Sequence, residues 1–209
     1  MSEGGLVMVA TIAFGMGIDK PDIRFVAHVN LPGNIESYYQ EIGRAGRDGA
    51  PAETLLMYGL DDVHQRRRFI EEDGEDDIHK LREHKRLDAL LAYCEAASCR
   101  RKALLSYFGD DIDACGNCDN CLNPPNVIDG TELCRMFLTA VYRTGQSFGA
   151  AHVVDVLRGS KTEKVVDREH DQLTTFGIGS EYPKEFWHSF LRQLLAAGHI
   201  ELNIQRYGS

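Results

Sequence analysis

The chain is expected to be multidomain, α/β at its start and α thereafter, on three observations. Within the first sixty residues, short apolar runs of strand length alternate with one amphipathic helical segment, the pattern of a βαβ unit with a parallel sheet. Further on, three cysteines fall in the spacing C-x-x-C-x-x-C at Cys115, Cys118 and Cys121, among helical periodicity but little apolar material. After Pro124-Pro125, where a helix cannot continue, three helical segments lead to a terminal run of alternating apolar and polar residues.

Residues 6–11, Leu-Val-Met-Val-Ala-Thr, form a continuous apolar stretch suited to a buried parallel strand. In the loop that follows, Gly15 and Gly17 permit positive φ or close approach to a ligand, and Thr11 and Asp19 offer polar contacts nearby. Residues 24–29 and 54–58 are the next two strand candidates, with a helix over 34–45 between them. On that helix Ile35, Tyr38, Tyr39 and Ile42 recur at i, i+3, i+4 and i+7, an apolar face for docking on a core. Gln40, Arg44 and Arg47 recur at i, i+4 and i+7 and would share another face, aimed outward. Two guanidinium forks one turn apart suit bidentate contact with phosphate oxygens. An ordinary solvated face is the alternative.

Residues 10–19, Ala-Thr-Ile-Ala-Phe-Gly-Met-Gly-Ile-Asp, resemble helicase motif V, and residues 40–48, Gln-Glu-Ile-Gly-Arg-Ala-Gly-Arg-Asp, resemble motif VI of the RecQ branch of DNA helicases. Later segments match in order, so the resemblance covers essentially the whole chain. It implies that residues 1–60 belong to the second RecA-like lobe, whose motif VI reaches across to ATP held by the first. Arg44 and Arg47 would then contact the triphosphate, Arg47 as the arginine finger, with Gln40 beside them. Gly17 and Asp19 of motif V would lie near the nucleotide, and Thr11 toward the DNA strand. An arginine finger contributes roughly 10³ to 10⁵ in rate in other phosphoryl-transfer enzymes. The resemblance further implies an ATP-dependent 3′ to 5′ helicase acting in DNA repair, recombination and replication.

A helicase also needs a phosphate-cradling G-x-x-x-x-G-K-[ST] loop and an acidic motif for magnesium, and this sequence contains neither. ATP and Mg²⁺ are therefore expected only together with a missing N-terminal motor region, and the chain alone is expected to be inactive.

Beyond residue 60 charges of both signs crowd together: Asp61-Asp62, the triplet Arg66-Arg67-Arg68, then seven residues from Glu71 to Asp77 of which six are acidic. A solvated helix followed by an acidic loop is expected, the arginines serving solvent and ion pairs. Leu81, Leu87, Leu90, Leu91 and Cys94 mark a helix from Ile78, and another spans residues 99–108.

The C-x-x-C spacing points thiolates at one cation, and a fourth tetrahedral ligand can come from a helix. Cys99 and Cys94 compete for that place. Residues 99–109, Cys-Arg-Arg-Lys-Ala-Leu-Leu-Ser-Tyr-Phe-Gly, resemble the family's ligand-bearing helix, which implies Cys99, Cys115, Cys118 and Cys121 as the metal set. Disulfides are the weaker reading, since no signal peptide or transmembrane run is present. An iron–sulfur cluster lacks its further cysteine. Zn²⁺ in a closed, structural site is the expectation, within a helical zinc-binding module over residues 61–125. Cys94 and Cys134 are expected to be small buried apolar groups.

Residues 131–143, 150–158 and 184–197 carry helical patterns, and residues 200–206 alternate as a strand. Three short helices and a terminal strand suggest a winged helix over 126–209, its wing cut short; the segment also resembles the family's winged-helix domain, which binds duplex DNA. Trp187, Phe190, Leu191 and Leu194 point to a core, whereas Lys184, His188 and Arg192 recur on a polar side. With Arg158, Lys161, Lys164 and Arg168 they are candidates for phosphate contact. Residues 126–209 hold ten acidic and nine basic side chains, a balance of −1, so composition alone marks no basic patch.

The whole chain carries 23 basic and 32 acidic residues, a net charge of −9. Non-specific electrostatic binding to nucleic acid would be weak, and DNA contact must come from local patches. Forked or partly duplex DNA and the absent motor lobe are the expected partners, a membrane is not, and a cytoplasmic, nucleoid-associated setting follows. The reading from another class is a stand-alone zinc and winged-helix adaptor without a motor.

Overall fold

The computed structural model describes residues 5, 7–10 and 20–201. Two compact units emerge, Met1–Val63 and His64–Ser209. In the first, strand β1 (Phe25–His28), helix α1 (Ile35–Ile42) and strand β2 (Glu53–Leu56) follow one another, and β1 and β2 pair in parallel with Phe25 opposite Glu53 and His28 opposite Leu56. Asn34 caps α1 by accepting the Ser37 N–H at 2.8 Å. Leu31, Ile35, Tyr38 and Val63 are buried. A two-stranded sheet has little area with which to cover itself, and Phe25 and Leu55 each remain about half exposed.

Three expectations for this unit are corrected. Residues 7–10 form no strand, and Val7, Met8 and Val9 are exposed, because no described strand pairs with them; residues 6 and 11 lie outside the described residues. The helix stops at Ile42, so Arg44 and Arg47 do not share a helix face with Gln40. Gly43 closes the helix, and the chain then returns toward the sheet: the Gly46 N–H donates to Ile23 O at 2.9 Å and Asp48 N–H to Pro21 O at 3.2 Å. Gly46 has φ +66°, and a Cβ there would come within 2.9 Å of Ala50 O. The docking face is also narrower than its periodicity suggests, with Ile35 and Tyr38 buried but Tyr39 exposed.

The second unit is helical. It takes in most of α2 (Leu60–Glu72), then α3 (Asp77–Glu95), α4 (Arg100–Tyr107), the single turn α5 (Asp119–Leu122), α6 (Thr131–Arg143), α7 (Ala150–Arg158), α8 (Glu163–Asp167), a 3₁₀ turn at His170–Gln172, and α9 (Lys184–Ala196). Helix α3 packs on α9, and α7 packs on α6, α8 and α9. Leu87, Leu90 and Leu91 of α3, Phe137 of α6, Val153, Val154, Val156 and Leu157 of α7 and Trp187, Leu191, Leu194 and Leu195 of α9 are buried. Ile78 and Leu81 are exposed instead. The N-terminal half of α3 meets α2 through charge rather than apolar packing: Glu71 pairs with His84 at 2.8 Å and Lys80 at 3.8 Å, and Arg67, itself buried, with Asp88 at 2.7 Å.

Helices α6, α7 and α9 fall on the three expected segments, with α8 and the 3₁₀ turn between them unforeseen. Ile200 and Glu201 are not strand, and the rest of the expected terminal strand lies outside the described residues. No described helix is long and apolar enough to cross a membrane.

Candidate metal centre and phosphate-facing residues

Cys99, Cys115, Cys118 and Cys121 converge, their four Sγ atoms all within 4.8 Å of one another. Cys115 and Cys121 Sγ are 4.0 Å apart, as are Cys118 and Cys99. A tetrahedral zinc with Zn–S of about 2.3 Å sets sulfur atoms about 3.8 Å apart, so the donor set fits this ion in both chemistry and spacing. Four thiolates leave no open coordination position for water, the mark of a structural site.

Each thiol is placed by local backbone. Cys99 caps α4, its Sγ accepting the Lys102 N–H at 3.4 Å and the Cys115 N–H at 3.3 Å. Those N–H groups, that of Cys115 first, bring its thiol down to about 6. Burial works against ionisation of Cys118, but N–H groups of Arg100 and Cys121 outweigh it and lower this thiol too. Its hydrogen bond with Cys118 pushes Cys121 up to about 11. Metal binding would therefore displace protons. Cys94 does not join the cluster, and burial pushes its thiol up to about 12. Both Cys94 and Cys134 are half-buried rather than fully so.

Arg100, which the sequence did not single out as a functional residue, ties the centre together. Its guanidinium donates to the Tyr93 and Cys94 carbonyls at 2.9 and 2.7 Å, capping the C-terminal end of α3, and pairs with Asp119 at 3.1 Å. Asn120 reinforces this join by donating to the Ala96 and Ser98 carbonyls, both at 2.8 Å.

The phosphate-facing candidates are spread out. In the first unit Gln40 is exposed on α1, Arg47 exposed in the following turns and Arg44 half-buried, with a buried Nε that has no hydrogen-bond partner among the described residues. Thr11, Gly17 and Asp19 lie outside the described residues. Sequence reasoning missed Arg24, which fixes this turn by pairing with Asp48 and donating to Pro51 O at 3.2 Å; the two partners are 24 positions apart in the chain, so no local signal marks the pair.

In the second unit Lys161, Lys164 and Arg168 are exposed around α8, while Arg158, at the end of α7, is half-buried. The polar stripe on α9 is not uniform. Lys184 is exposed at its start, His188 is half-buried, and Arg192 is half-buried and donates to Glu95 Oε1 on α3 at 3.1 Å. Arg192 therefore holds two helices together in this structure, a use that helical spacing alone does not reveal.

Three family models match consecutive parts of the chain: the helicase conserved C-terminal domain over residues 2–49, the RecQ zinc-binding domain over 60–122 and the RQC domain over 124–209. The chain is 46% identical over 196 residues to the ATP-dependent DNA helicase RecQ of Haemophilus influenzae, covering 93% of this chain and 32% of that protein. Against the protein of the same name from Pasteurella multocida the identity is 45%, over 93% of this chain and 31% of that protein. For that of Bacillus subtilis it is 43%, over 82% and 29%. The chain thus spans about a third of the length of these relatives. With a four-cysteine centre inside the zinc-binding segment, flanked by the two other domains in order, the chain belongs to the RecQ helicase family.

Proposed function

We propose that this chain supplies the C-terminal working parts of an ATP-dependent 3′ to 5′ DNA helicase engaged in repair and recombination. Residues 1–60 are the contribution to the second motor lobe, 61–125 the zinc module and 126–209 a winged helix that holds duplex DNA. Arg47 stabilises the charge on the transferring phosphoryl group once a partner lobe presents ATP and Mg²⁺, and Arg44, Gln40, Gly17 and Asp19 position the nucleotide. By itself the chain turns over no ATP. Cys99, Cys115, Cys118 and Cys121 hold Zn²⁺, and Lys161, Lys164, Arg168, Lys184 and His188 are the DNA-facing candidates, with Thr11 and Arg158 as further ones. Arg192 is retained only as a support, since Glu95 engages it. A cytoplasmic, nucleoid-associated setting accompanies this role.

The observation that carries the proposal is the convergence of the four thiols between segments similar to a helicase lobe and to an RQC domain. It is tested by fluorescence anisotropy of the zinc-loaded chain with a labelled forked duplex across a salt series. Affinity that falls linearly on a log–log salt plot supports an autonomous DNA grip, and the slope counts the phosphates contacted. Absence of binding at low salt, from a folded zinc-loaded sample, refutes it.

A further inference from the structure

A second cluster of titratable side chains lies away from the cysteines. His152 of α7 is buried, and its Nε2 stands 2.7 Å from Nδ1 of His170 in the 3₁₀ turn. Phe148 stacks on His152 with ring centroids 4.2 Å apart and meets His170 edge-on at 4.9 Å. Two cations share that phenylalanine: Lys164 Nζ lies 5.5 Å and the Arg168 guanidinium 5.9 Å from its centroid. Glu169, with φ 56°, takes the left-handed conformation immediately before His170, a backbone region that residues other than glycine seldom adopt.

The electrostatics oppose a positive charge on the pair. Burial first, then His170 and Lys164, hold His152 below the ordinary histidine range, with Arg168 adding to them and Asp155 of α7 acting in the opposite sense. Burial and Arg168 do the same to His170. Two neutral imidazoles share one N–H and one bare nitrogen. Adding one proton at a distal nitrogen keeps that bond and makes it charge-assisted, hence stronger. Burial is the larger obstacle, and the neighbouring positive charge is the part that an anion at Lys164 and Arg168 would remove.

We propose that Phe148, His152, Lys164, Arg168 and His170 form a proton-linked phosphate site, in which a backbone phosphate held by Lys164 and Arg168 lets the imidazole pair take up one proton and DNA is gripped more tightly as the solution is acidified. The inference rests on the DNA-contact reading above and adds to it a linked proton. Because the pair binds a proton more tightly with phosphate present than without, affinity is flat at high pH and rises as pH falls through the phosphate-bound titration.

The test follows the imidazole Cε1–H resonances of the zinc-loaded full chain through a pH titration, alone, with a forked duplex and with inorganic phosphate. Anisotropy of the duplex is measured over the same range. The expected result is an upward move of the His152 and His170 titration with duplex and an affinity that gains up to about tenfold per pH unit. His170→Gln, which keeps a hydrogen-bonding side chain, should flatten that slope. The Lys164→Ala, Arg168→Ala double variant should abolish the move. Duplex that binds the wild-type chain without moving either titration overturns the proposal, as does an unchanged slope in His170→Gln. A move with inorganic phosphate but not with duplex overturns the nucleic-acid assignment. If duplex does not bind at all, the DNA reading above fails, and the phosphate arm still decides whether the site exists: a move supports it and no move overturns it.

Discussion

The βαβ unit and the cysteine-centred module both join short elements with few buried apolar side chains, yet they close by different physics. In the first, backbone pairing of β1 with β2 and the exposed Arg24–Asp48 pair fix the turn after α1, while Phe25 and Leu55 stay half exposed. In the second, four thiols and the Arg100 fan draw α3, α4 and α5 to one point. Burial of Cys99 and Leu104 is the module's apolar contribution on α4, so a coordinated ion would stand in for the core that α4 and α5 lack. Surface pairs contribute little because water screens them, whereas a structural zinc site contributes folding free energy outright.

That contrast predicts a graded series. The largest effect is expected from Cys118→Ser or from chelation, because structural zinc sites bind with an apparent ~10–16 kcal/mol. Hydrogen exchange should show α4 and α5 losing protection while β1, α1 and β2 keep theirs; equal loss in both regions, or full zinc content in the variant, would erase the contrast. Next comes Trp187→Ala, which removes a fully buried indole whose Nε1 donates to Gly179 O at 3.0 Å. A loss of about 3–5 kcal/mol in denaturant unfolding of the helical unit is expected. Gly179→Ala should cost about 1–3 kcal/mol by overpacking, since its Cβ would lie 2.4 Å from the Trp187 ring.

Arg100→Ala leaves the Tyr93 and Cys94 carbonyls without this donor and should cost about 1–3 kcal/mol. Its pH signature sharpens the test. Although burial opposes it, Arg100 holds the Asp119 carboxyl below the usual range. The pair's contribution is thus complete at neutral pH and fades as pH falls through and below the carboxylate range, a dependence that zinc-loaded Arg100→Ala should lose. The smallest effect is expected from Arg24→Ala, whose partner Asp48 is also held low, by the same guanidinium. A melting temperature for the βαβ unit close to wild type is expected; a large drop would mean that this surface pair does for the sheet what zinc does for the cysteines.

Legibility along the sequence followed the range of the interactions. Helices α6, α7 and α9 were visible in a 3.6-residue period because each buries one stripe, and the four cysteines were visible because C-x-x-C spacing is itself a local geometry, though Cys99 needed the family resemblance to be preferred over Cys94. The end of α1 was misjudged: an i, i+4, i+7 pattern runs through Gly43 and Gly46 on paper, but hydrogen bonds to Pro21 and Ile23 pull the chain off the helix. Arg192 looked like a solvent-facing cation on its own helix and turned out to be bound to Glu95, 97 residues away.

By itself, then, the sequence determined the order of the segments, the identity of the metal ligands once the resemblance was admitted, and the helices of the last segment, since period, spacing and motif are properties of neighbouring residues. Only the tertiary structure decided that Lys161, Lys164 and Arg168 stay exposed while Arg192 is engaged in holding two helices together, where the chain leaves helix α1, and that two histidines 18 residues apart share a hydrogen bond beneath Phe148. Those outcomes depend on side chains brought together by packing, and no local pattern encodes a partner that the chain meets only after it has folded.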